Sequence, residues 1–124
     1  MRRTIILAAL ALSLAVFGNA QNIAGDWQGT LQAGQQRLRL VLHVAETGDG
    51  GFKATLDSID QGARGIPVSS VKLKDSKLSL GVEAVHASFH GKVNADATAI
   101  SGEWEQMGNW LSLTFKRLKV EAQP

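Results

Sequence analysis

The sequence contains no cysteine and only two prolines. Without a thiol there is no disulfide framework, no thiol nucleophile, no thiolate metal site and no cysteine to carry a lipid behind a signal segment. Such a chain must hold itself together by burial. Residues 21–124 are long enough for one domain with one core. No stretch has the helical period over a length that could cross between parallel strands. Charge of one sign is also missing: two of the 13 Lys+Arg lie in the first 20 residues and all 11 Asp+Glu lie after them, so the remainder balances at zero. With no net positive field and no Lys/Arg stripe along the chain, nucleic acid and an anionic membrane surface are not expected partners.

The first 20 residues have the three-part layout of a secretory signal. Arg2 and Arg3 precede an apolar run over residues 5–17, and Gly18-Asn19-Ala20 precedes Gln21. The run is short for a bilayer span of about 20 residues, and no second one follows. The expectation is a cleaved signal peptide over 1–20, export to the periplasm or medium, and no membrane contact after cleavage. A single domain is expected over 21–117, with 118–124 as a tail or the start of a linker.

From Gln21 onward apolar residues recur at every second position, the period of a half-buried strand. Trp27, Gly29 and Leu31 form one such set, Leu38, Leu40, Leu42 and Val44 another, then Phe52, Ala54 and Leu56. Val71 and Leu73, then Leu78, Leu80 and Val82, flank a turn at Asp75-Ser76. Ala87, Phe89, Gly91 and Val93, then Ile100, Gly102 and Trp104, and finally Leu111, Leu113 and Phe115 complete the series. These sets predict an all-β fold, an antiparallel up-and-down meander of about eight strands closed into a small lipocalin-like barrel, since closure removes exposed edges. Gly25-Asp26-Trp27 and Gly102-Glu103-Trp104 echo each other and suggest strands that meet where the sheet closes, with each glycine admitting a close neighbour.

The chemistry-bearing residues form no recognisable machinery. His86 and His90 are four apart, which on a strand separates them by about 13 Å and prevents a shared metal ion. Asp57, Ser58, Asp60, Gln61 and Gly62 resemble a calcium loop, but Ile59 occupies a ligand place and no distal acid follows, so the two aspartates are expected to cap backbone groups. There is no Gly-x-Ser-x-Gly elbow and no phosphate loop before a helix. No cofactor and no metal are expected. Residues 58–67 form the longest irregular stretch, so Asp57, Ser58, Asp60, Gln61, Gly62 and Arg64 are the candidate binding loop. Trp27, Trp104, Phe89 and Phe115 are the candidate interior or ligand-lining residues.

Ile23-Ala24-Gly25-Asp26-Trp27-Gln28-Gly29-Thr30-Leu31, and the central segment from Ala54-Thr55-Leu56-Asp57-Ser58 through Ile59-Asp60-Gln61-Gly62 to Ala63-Arg64-Gly65-Ile66-Pro67-Val68, resemble the N-terminal β-module of secreted bacterial α/β-hydrolases and related exported hydrolases. Phe89-His90-Gly91-Lys92-Val93 and Leu113-Thr114-Phe115-Lys116-Arg117 continue the likeness. The resemblance implies a non-catalytic accessory or interaction module whose partner is a hydrolase domain or another protein. A looser likeness is to lipocalins, which carry Gly-x-Trp on the first strand and a basic residue on the last strand that covers the indole. Trp27 and Arg117 match those places. This likeness implies the alternative role, a carrier of a small apolar molecule.

Overall fold

The computed structural model describes residues 22–119. The expected signal segment and residues 120–124 of the expected tail lie outside them. Among the described residues the chain forms nine strands: β1 (Gly25–Ala33), β2 (Gln36–Glu46), β3 (Phe52–Ser58), β4 (Ala63–Val68), β5 (Ser70–Lys74), β6 (Lys77–Val82), β7 (Ala87–Val93), β8 (Ala99–Gln106) and β9 (Asn109–Arg117). All pairings are antiparallel. The fold is a nearly closed all-β meander barrel. Local chemistry sets its turns: Asp75 and Ser76, and Met107 and Gly108, have both central residues at positive φ, the geometry whose twist suits a two-residue hairpin.

The ninth strand corrects the reading of residues 58–67 as irregular. Ile59–Gln61 is a single 3-10 turn ended by Gly62 in the left-handed region, and the chain then runs extended as β4 along β3. Arg64, Ile66 and Pro67 therefore belong to a strand rather than to a loop. His86, expected on a strand, instead ends a second 3-10 turn (Glu83–Val85) at a φ of 55°.

The sheet order is β4-β3-β2-β1-β9-β8-β7-β6-β5. The two ends of the meander meet where β1 pairs with β9, so the break falls in mid-chain, between β4 and β5. Only Ser69 separates these two strands. They act as one bent extended segment that changes partner from β3 to β6, a usual way for a sheet to turn a corner. The corner is pinned: Ser69 N–H and Oγ–H both donate to the Gly81 carbonyl, at 2.7 and 2.8 Å, and the hydroxyl accepts the Glu83 N–H at 3.1 Å.

The inward phases of the strands fill the barrel. Trp27, Leu42, Leu78, Phe89, Ile100, Leu113 and Phe115 are fully buried, and Phe89 meets Phe115 edge to face at 5.2 Å. Gly102 faces Gly91 across β7 and β8, where a Cβ would overlap the His90 carbonyl oxygen, so the two backbones cross closer than a side chain permits. The Gly-x-Trp echo has a different meaning from the one expected. Trp104 lies on β8 opposite Leu111 of β9, while Trp27 lies on β1 opposite Arg117 of β9. The two indoles sit at opposite ends of the barrel.

Candidate functional site at the open end of the barrel

One end of the barrel is sealed. Arg117 lies over the Trp27 ring at 4.3 Å from its centroid and donates from Nε to the Ala97 carbonyl (2.9 Å), from Nη1 to Ala24 (2.7 Å) and from Nη2 to Asn22 (2.9 Å). The indole N–H donates to the Ile23 carbonyl at 3.0 Å. The guanidinium thus closes the barrel with its fork of donors and covers the indole face as a cation.

The other end is open. Leu31, Leu38, Leu40, Leu56, Ile66, Val85 and Trp104 enclose an apolar cavity of about 150 Å³ that also touches Ser58, Gln61 and Gln106. Its polar groups are satisfied among themselves: Ser58 Oγ–H donates to Gln61 Oε1 (2.6 Å), the Trp104 indole N–H to Gln106 Oε1 (3.0 Å), and Gln106 Nε2–H to the Val85 carbonyl (2.9 Å). Ser58 is the one buried polar residue among the described residues. Val85, from the second 3-10 turn, and Ile66, from β4, complete the cavity wall.

Of the candidate interior residues, only Trp104 lines the cavity. Trp27, Phe89 and Phe115 are fully buried in the filled part of the barrel. The candidate loop residues divide. Ser58 and Gln61 reach the mouth, and Asp57 and Asp60 serve the outer wall. Asp60 accepts from the Arg39 guanidinium at 2.8 Å and from the Arg39 backbone N–H at 2.7 Å, which in that order hold the carboxyl down to about 2. Asp57 accepts the Gly65 N–H at 2.8 Å and bonds His43 Nε2 at 2.8 Å, and both contacts lower it. Gly62 caps the turn, and Arg64 is exposed on β4.

Sequence reasoning missed His43, which bonds Asp57 through Nε2 and Asp26 through Nδ1, each at 2.8 Å. With a carboxylate on each ring nitrogen the imidazolium satisfies both as a donor, so Asp57 first and Asp26 second raise its pKa. A signal existed: the tight turn between Ala33 and Gln36 sets a register that puts Asp26 opposite His43. Gln106 was missed as well, although it follows Trp104 by two residues on the same face.

No protein-family model, no curated protein and no solved structure matches this chain. An apolar cavity of about 150 Å³ is the size that accepts benzene, and well below the range of about 300–1,000 Å³ that encloses a drug-sized ligand.

Proposed function

We propose that the chain is an exported, non-catalytic binding module, and that its open barrel end receives a single small apolar group presented by a partner protein. The observation that carries this reading is the cavity at the mouth, apolar on its walls and internally satisfied at its polar edge. At the same end the tip of the β8–β9 hairpin exposes Met107 (75 %), an apolar side chain that a partner protein could cover, while Trp110, 60 % exposed, shares the outward phase of Glu105. The resemblance to the module in front of secreted hydrolases supports the same accessory role. A carrier of long amphiphiles is the weaker reading, because Trp27, Phe89 and Phe115 occupy the depth of the barrel.

The outer wall supports the non-catalytic part. Ser79 Oγ lies 3.2 Å from His90 Nδ1, a serine–histidine contact on an exposed surface, and among the described residues no carboxylate bonds that ring. An activated nucleophile needs a base that a third group orients.

The test is an NMR titration of the purified protein with benzene and, separately, with dodecanoate. Benzene should shift the Trp104 indole N–H saturably and leave that of Trp27 in place. No response to benzene would remove the open-end site, and stoichiometric binding of dodecanoate with displacement of the Trp27 resonance would establish a deep carrier instead.

A further inference from the structure

The outer wall carries its charges unevenly, in a way that chain order hides. On β2 and β3, Arg39 pairs with the neighbouring Asp60, and His43 with Asp26 and Asp57. Across β5, β6 and β7 the register does the opposite: Lys74 faces Lys77, and Lys77 faces Lys92. Three lysines thus form one exposed row whose Cβ atoms step across the strands by about 5 Å. One row along the strands, Lys72 faces Ser79 and Ser79 faces His90. None of the four lysines joins an ion pair among the described residues. The carboxylates nearest in register are Asp75 in the turn and Glu103 opposite His90.

Like charges placed directly opposite destabilise a sheet. Lysines on β5 have a sufficient structural cause, since an unpaired edge strand gains protection against strand addition from them. That cause does not extend to Lys77 and Lys92, because β6 and β7 are bonded on both sides. These two lysines, with Ser79, His90 and Ser101, border a shallow depression of about 390 Å³. Ammonium donors without an ion pair, gathered around one depression beside the Ser79 and Ser101 hydroxyls, which bond His90 Nδ1 (3.2 Å) and the Thr114 hydroxyl (3.3 Å), match a tetrahedral oxyanion.

We propose that Lys77 and Lys92, with Ser79, His90 and Ser101 between them and Lys72 and Lys74 alongside, form a binding site for an anionic phosphate group. That chemistry is shared by a soluble polyphosphate and a phospholipid head group. The site lies on the outer wall and is independent of the open end.

Tripolyphosphate titrated into the purified protein at low ionic strength should bind saturably, and binding should weaken as salt is added. In the double variant Lys77→Gln/Lys92→Gln affinity should fall roughly tenfold or more, because two charge-assisted contacts are lost. Arg37→Gln/Lys53→Gln, which removes equal charge from the opposite wall, should change it by less than about twofold. The lysine variant also relieves a like-charge pair, so it should melt no lower than the parent, and a loss of binding cannot be assigned to misfolding. Co-sedimentation with phosphatidylglycerol–phosphatidylcholine vesicles, sensitive to the same variant, would identify the head group as the ligand. Binding of tripolyphosphate without vesicle binding would identify a soluble anion. Binding to neither, or an equal loss in both variants, overturns the site.

Discussion

The two ends of the barrel are each built on a tryptophan that follows Gly-x, and they do different work. At the sealed end Trp27 is held through backbone: its indole donates to the Ile23 carbonyl, and Arg117 above it ties three further carbonyls, Asn22 and Ala24 at the start of the described chain and Ala97 in the turn between β7 and β8. At the open end Trp104 donates to a side chain, Gln106, which relays to the Val85 carbonyl. A backbone carbonyl cannot move without its strand, whereas a glutamine can rotate. The same short pattern therefore produces a rigid plug at one end and an adjustable rim at the other, according to what stands across from it.

The largest effect that would break this comparison comes from the tryptophans themselves. Trp27→Ala should cost near the top of the range of about 3–5 kcal/mol seen for buried aromatics, because the filled barrel around it cannot collapse. Trp104→Ala should fall at the lower end of that range, since its cavity already opens to solvent. Urea denaturation of both variants measures the difference, and equal losses would mean that the two ends are equally packed.

A smaller contrast separates the partners of the two indoles. Arg117→Met should cost about 1–3 kcal/mol, because charged donors are withdrawn from three carbonyls and the indole face loses its cation. Gln106→Met should cost about 1 kcal/mol, the low end for losing one partner, because the Trp104 N–H and the Val85 carbonyl that it leaves border a mouth open to water. Thermal melts of the pair rank them, and the reverse order would move the rigid plug to the other end.

The smallest effect is on pH, and it sharpens the contrast between the paired wall and the lysine wall. His43 is raised above 6.5 in the folded state, so its contribution is complete below that pH and is lost as pH rises through the higher folded value. Asp57 and Asp60 are lowered from 3.8, so their contribution is complete above that pH and is lost as pH falls through their folded values, about 2 for Asp60. Melting temperature should be highest between pH 3.8 and 6.5 and fall modestly on either side, because these side chains are partly exposed. His43→Gln should abolish the decline on the alkaline side and reduce the acid-side decline only by the part that His43 lends to Asp57, whose Gly65 contact remains. An alkaline decline that persists in that variant would assign it to other groups.

Much of the barrel was legible in the sequence because strand alternation is local. Leu38, Leu40, Leu42 and Val44 state their own inward face, and Asp75-Ser76 and Met107-Gly108 state their turns, without reference to any distant residue. Residues 58–67 were misread for the same reason: β4 has Gly65 and Pro67 within it and reads as punctuation, and only its pairing along β3 makes it a strand. At the site, Trp104 and Ser58 were legible as single residues. Their neighbours Val85 and Ile66 were not, because no periodicity connects a 3-10 turn to an edge strand.

The sequence by itself determined the all-β class, the inward apolar set, most of the turns and the dependence on burial without cross-links, since each follows from residue type and short-range spacing. Tertiary structure alone decided where the meander breaks, which tryptophan is sealed and which borders a cavity, and which charges meet. Those outcomes depend on register between strands that are far apart in the chain. A shift of one residue would turn every side chain of a strand to the other face and disperse both the His43 clamp and the row of Lys74, Lys77 and Lys92.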